Sequence, residues 1–144
     1  MVDEEIIEDM EFAREVMLED DIPFVVVKDC EIVLACEEYG VQIVLDAIDD
    51  FGEELAGCII GDKMIGKASA LLYVYSNVAG VYAHNATKTA IAVLIMSGVP
   101  AETDKLIDYA QIVKDVNLAR FEKLVQGIDT PDEAYDVLRM NVNF

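Results

Sequence analysis

Residues 55–75 read LAGCIIGDKMIGKASALLYVY, and the way this stretch divides decides the fold. An apolar run, LAGCII, leads into a glycine-bounded segment, Gly61–Gly66, and a second apolar run, ASALLYVY, follows. The first run is a short buried strand or an extended lead-in to a helix. Met64, Ile65, Ala68, Leu71, Leu72 and Tyr75 then recur at helical spacing, which predicts a helix over 63–75. Asp62 stands where an N-cap carboxylate would accept an orphaned backbone N–H.

The same residues nearly spell a phosphate-binding loop. In G-x-x-x-x-G-K-[ST] the glycines turn backbone N–H groups inward, the lysine reaches the outer phosphates and the hydroxyl holds magnesium. Gly61, Gly66 and Lys67 fit, but Ala68 replaces the hydroxyl and Ser69 comes one residue late, about 100° round the helix. Asp62, Met64 and Ile65 put an anion and bulky apolar groups where phosphate would nest, and no later strand ends in a magnesium-holding aspartate. The sequence therefore speaks against a nucleoside triphosphatase. What remains is a helix start with Lys63 and Lys67 four residues apart, a setting that favours an anion through the free N–H groups and the helix dipole.

Upstream, FVVV and EIVLAC flank Lys28-Asp29-Cys30 and read as a β-hairpin. Its turn favours glycine at the second central position, where Cys30 stands at a cost of about 1 kcal/mol of strain. Ile6, Met10, Ala13 and Met17 mark an amphipathic helix over 4–19 that Pro23 closes off. Val41, Val44, Leu45, Ile48 and Phe51 mark another, ending near Gly52. Downstream, AGVYA (79–83) reads as a strand, 87–97 as a helix stopped by Gly98 and Pro100, and VPAET as a last strand. From about Asp104 the chain reads as helical with breaks near Asn117 and Gly127, and Thr130-Pro131-Asp132-Glu133 supplies a capped helix start.

A hairpin feeding βα units predicts a three-layer α/β/α sandwich with a mixed sheet and extra C-terminal helices, all in one domain. Its parts are an acidic helix over 1–21, an α/β core over 22–103 and a helical part over 104–144. ASALLYVY and AIAVLIM are apolar nearly all round, so both need cover on more than one side. In a domain this small, that points to a homodimer or larger assembly.

The loop AHNATKTA (83–90) is the second candidate site. His84 is the only histidine, Asn85 or Thr87 can cap the following helix, and Lys88 lies in its first turn. His84 suits an acid–base or anion-donating role, or a hydrogen-bonded structural one.

Of the 29 acids, ten lie within residues 3–21 against the single base Arg14, and the formal net charge is −19. Such a field repels phosphate backbones, so nucleic acid is not an expected partner. No apolar run reaches the roughly 18 residues that cross a bilayer, and the first residues are acidic where a targeting peptide is basic. The expected setting is the cytoplasm, without a membrane. Cys30, Cys36 and Cys58 match no zinc spacing and are expected as reduced thiols; no metal and no cofactor are expected.

FVVVKDCEIVLAC, GDKMIGKASALLY and GVYAHNATKTAIAVLIMSGV, across residues 24–99, resemble the domain-of-unknown-function 1893 family and, through it, the cytidine deaminase-like fold. Asp62, Lys63, Gly66, Lys67 and Ala68 match the family's helix-start pattern. The resemblance implies a sheet whose two helix starts face one crevice, where zinc deaminases place a His-x-Glu or Cys-x-Glu and a Pro-Cys-x-x-Cys. This chain has neither motif, and its end, YDVLRMNVNF, lacks the Cys-Pro segment of the family. The resemblance thus implies a metal-free crevice for a small anionic or nucleotide-like ligand, with Asp62, Lys63, Gly66, Lys67, His84, Asn85, Thr87 and Lys88 around it. The alternative is an interaction or structural protein that acts by oligomerisation. No reaction follows from either.

Overall fold

The computed structural model describes residues 3–142; Met1, Val2, Asn143 and Phe144 lie outside the described residues. The N-terminal helix α1 (Glu4–Asp20) precedes the hairpin strands β1 (Phe24–Lys28) and β2 (Glu31–Cys36). After α2 (Val41–Phe51) and a 3-10 turn come β3 (Ile59–Ile65), α3 (Lys67–Tyr75), β4 (Gly80–Thr87), α4 (Lys88–Met96) and β5 (Ala101–Ile107). The chain ends in α5 (Tyr109–Ile112), α6 (Ala119–Leu124) and α7 (Pro131–Met140). The five strands form one mixed sheet in the order β2-β1-β3-β4-β5, antiparallel from β2 through β3 and parallel from β3 to β5. The expected α/β architecture with a mixed sheet is the one found.

The layers are unequal. Phe24, Val26, Ile60, Val81 and Ala83 face a large core shared with α2, α3, α4, α6 and α7. Val25, Val27, Ile59 and Tyr82 face the other way, where Met10, Ala13, Val16 and Met17 of α1 cover them. Strand alternation sorts the two sets, because successive side chains leave opposite faces. Two glycines let α1 lie close. A methyl group on Gly61 would stand 2.7 Å from Met17 Sδ and 2.8 Å from Val25 Cγ1, and one on Gly80 would stand 3.2 Å from Ile6 and Met10.

The hairpin turn is the two-residue type that its neighbours require. Asp29 and Cys30 have φ of 52° and 58°, and Lys28 pairs with Glu31 across them. Both positive angles match the twist of the flanking strands, although neither residue is glycine. Help comes from α1, where the Asp9 carboxylate accepts the Cys30 N–H at 2.8 Å and the Asp29 N–H at 3.2 Å.

Three boundaries differ from the sequence reading. Residues 63–65 are strand, so the predicted helix begins at Lys67 and Asp62 is not its cap. Met64 and Ile65 pair with Asn85 and Ala86 of β4, which supplies the backbone partners a helix would have given. His84 and Asn85 lie inside β4 rather than in a loop, and β5 continues through Asp104–Ile107, a segment read as helical. The breaks near Asn117 and Gly127 fall between helices as expected.

The two apolar helices have different fates. Residues Ala68–Tyr73 of α3 are all buried, packed under α4 and α7, with Tyr75 stacked on Tyr135 at 4.3 Å between ring centres. Only Ala90 and Leu94 of α4 are buried, while Ile95 and Met96 are 56% and 86% exposed.

Candidate functional site

The parallel strands β3 and β4 run straight into helices, β3 through Gly66 into α3 and β4 directly into α4. Both helix starts therefore lie at one end of the sheet. Thr87 caps α4, its Oγ1 accepting the Ala90 N–H at 3.1 Å. Gly66 has no side chain to cap α3, and the missing acceptor arrives from α6: Glu122 Oε1 accepts the Ala68 N–H at 2.7 Å. The Lys67 N–H also donates to this carboxylate.

Glu122 is 4% exposed. Burial pushes its carboxyl above the ordinary range, against the pull of the two N–H groups and the Lys67 charge. The fit is close enough that a methyl group on Gly66 would stand 2.5–2.7 Å from the carboxylate atoms. The N-terminus of α3, where an anion was expected, thus holds one of the protein's own carboxylates.

Beside this plug a cleft of about 550 Å³ opens between α3, α4, the end of β5 and α6. Lys67 and Lys88 line it, with Thr87, Thr89, Tyr109 and Gln126. Gln126 Nε2 donates to Tyr109 Oη at 2.6 Å, and Lys67 Nζ reaches Asp129 at 3.4 Å. The cleft offers two cations, two hydroxyl-bearing side chains at the start of α4 and an aromatic wall, and the acids Asp108 and Glu122 also line it.

The other residues singled out from the sequence are elsewhere. Asp62 is fully buried in the middle of β3, between Phe24 and Ala83. Its Oδ2 accepts the Tyr73 hydroxyl of α3, and its Oδ1 accepts the Met64 N–H at 3.3 Å. Burial pushes its carboxyl up to about 7, a rise these hydrogen bonds only partly oppose. Asn85 donates to the Lys63 carbonyl at 3.3 Å across the β3–β4 pair. Gly66 serves the Glu122 contact.

His84 and Lys63 belong to a second place, on the α1 face of the sheet. They line a hollow of about 230 Å³ with Tyr39 and Glu37. Tyr82, two residues before His84 and on the same face, hydrogen-bonds His84 Nδ1 and donates to Asp104 Oδ2 at 2.5 Å. Arg14 of α1 closes the chain, its Nε donating to Asp104 Oδ1 at 3.2 Å. Burial lowers the His84 pKa, against the opposing pull of Asp104. Burial raises that of Asp104, but the Tyr82 and Arg14 hydrogen bonds and the Arg14 charge outweigh it, and the net shift is downward.

Among the described residues no three His, Cys, Asp or Glu side chains are grouped to hold a metal ion. Cys30 is exposed in the hairpin turn, Cys36 half-buried in β2 and Cys58 buried. No described helix is long and apolar enough to cross a membrane.

The sequence reading missed Glu122, Asp104 and Tyr82 as parts of these places. The signal for Glu122 was indirect. A helix that opens after glycine has no local cap, so its N–H groups must be satisfied from elsewhere in the chain.

These features define a mixed-sheet α/β protein with one single-helix face and two helix starts beside a cleft. The family model described as "Domain of unknown function (DUF1893)" matches residues 12–142, and the chain belongs to that family. The crystal structure of a DUF1893 family protein (TM1506) from Thermotoga maritima is similar in fold, with a TM-score of 0.80 and 21% identity. The match covers 92% of this chain and 89% of that one. No curated protein matches.

Proposed function

We propose that this is a cytoplasmic protein that binds a small anionic or nucleotide-like ligand in the cleft beside α3 and α4, without a metal. The observation that carries this reading is the convergence of Lys67 and Lys88 on one concave surface of a chain whose net charge is −19. Cations gathered in a cleft against so negative a background focus an anionic ligand there. Thr87 and Thr89 add hydroxyl groups at the start of α4, where helix polarity also favours negative charge. The Glu122 carboxylate is turned onto backbone N–H groups, which offset its charge toward the cleft. The sheet-end position agrees with the crevice of the cytidine deaminase-like fold, which this reading takes as the parent architecture.

The test is calorimetric titration with inorganic phosphate and with adenosine monophosphate. Lys88→Ala and Lys67→Ala are each expected to weaken binding about tenfold or more while leaving unfolding temperatures within a few degrees. Unchanged affinity in both variants would overturn the reading.

A second reading rests on the open side of α4. Ile95 and Met96 leave apolar surface on a helix whose inner residues are already packed, and Ile7 of α1, 40% exposed, lines a hollow with Ile95. If the protein acts by oligomerisation through this side, Ile95→Asp is expected to shift its native mass toward the monomer. A wild type that is already monomeric at tens of micromolar would sink this reading. Leu94 is fully buried, so a charge there would test folding instead.

A further inference from the structure

The proton inventory around Tyr82 fixes the state of the only histidine, independently of the cleft reading. Tyr82 Oη touches two acceptor-capable partners, Asp104 Oδ2 and His84 Nδ1, and has one proton to give. Asp104 is ionised: Arg14 donates to it at 3.2 Å, and its pKa lies below the ordinary value. The hydroxyl proton therefore goes to Asp104, and Tyr82 Oη must accept a proton from His84 Nδ1. This assigns the Nδ1–H tautomer and leaves a lone pair on Nε2, which makes no hydrogen bond to any described residue. Tyr82 is 1% exposed and packs edge-on to the imidazole at 5.3 Å between ring centres, so the acceptor is held in place.

A cation stands next to it. The β3–β4 register pairs Asp62 with Ala83 and Met64 with Asn85, which sets Lys63 beside His84 on the same face. The Lys63 ammonium lies 5.1 Å from the Tyr39 ring centre, and both residues line the hollow. An acceptor and a cation on neighbouring strands match a ligand with a proton donor next to an anion. The volume, about 230 Å³, suits a molecule of a few heavy atoms. We propose that this hollow binds a small hydroxy acid, its hydroxyl donating to His84 Nε2 and its carboxylate resting on Lys63. Tyr82 and Asp104 act as positioning residues that hold the imidazole in the accepting tautomer.

The full-length protein labelled with nitrogen-15 provides the test, with glycolate as the probe and methoxyacetate, which lacks the donor, as its control. At pH 7.5 the His84 ring is expected to show a protonated Nδ1 and a bare Nε2, and glycolate to shift the Nε2 signal saturably. Methoxyacetate is expected to leave that signal in place, and Lys63→Ala to weaken glycolate binding about tenfold. Tyr82→Phe is expected to mix the tautomers and move the His84 titration, which Asp104, Arg14 and Lys63 also shape, with Asp21 and Glu37 lining the same hollow. Lys63 is exposed, so its variant tests binding without threatening the fold. An Nε2–H ring in the wild type, no glycolate shift, or equal shifts from both acids would overturn the proposal.

Discussion

Asp62→Asn is expected to stabilise the protein at pH 8, by on the order of 3–4 kcal/mol, and to change little at pH 4. Asp62 has no exposed surface, and burial lifts its carboxyl from the ordinary 3.8 to about 7. With the folded-state value above the unfolded one, the folded protein holds the extra proton between these limits. The contribution to stability is therefore fully present below about pH 4 and lost as pH rises through about 7, at about 1.4 kcal/mol per pH unit. Asparagine resembles the neutral acid: one oxygen remains for the Met64 N–H, and an N–H can face Tyr73 Oη. It has no charge to desolvate, so the gap between variant and wild type should open across this window. Denaturant midpoints measured from pH 4 to 8 decide the matter. Parallel curves would show that Asp62 is not the group that titrates.

Glu122→Ala should destabilise the protein by about 2–4 kcal/mol, because it strips the acceptor from two N–H groups at a buried helix start. Glu122→Gln keeps an oxygen over the Ala68 N–H and gives up the charge and the second oxygen, so a smaller loss of about 1 kcal/mol is expected. A sharper readout separates a cap from mere packing. The space vacated in the alanine variant is shaped for a carboxylate, and formate at tens of millimolar should raise its unfolding temperature by several degrees more than that of the wild type. Equal responses would mean that the N–H groups find water or another partner, and that Glu122 acts through its bulk.

These two residues also show where sequence reading reached its limit. The hairpin, α1, α2 and α7 were legible because their signals are local: turn residues, a helical apolar period, a Thr-Pro start. Asp62–Ile65 misled because Met64 and Ile65 satisfy the helical period as well as a strand, and only the pairing with β4 decides between them. β5 escaped past Thr103 because an edge strand facing solvent carries polar residues such as Asp104 and Lys105 and shows no buried alternation. The site was half legible. Lys67, Thr87 and Lys88 meet in one cleft, whereas Lys63 and His84 leave the opposite face of the sheet, a split invisible until the strands were known to extend through them. Glu122 comes from 54 residues beyond the N–H it caps, and no local pattern announces such a partner.

The single-helix face has a kinetic consequence. The apolar stripe of α1 finds part of its floor on Val25 and Val27 of β1, just downstream, and the rest on Gly61, Gly80 and Tyr82, which follow in the chain only after the hairpin and α2. Because β3 and β4 must pair before the second part of that floor exists, α1 is expected to complete its docking late, with these long-range contacts slowing the step. During that wait the acids along its outer face repel other chains and keep the undocked stripe from aggregating.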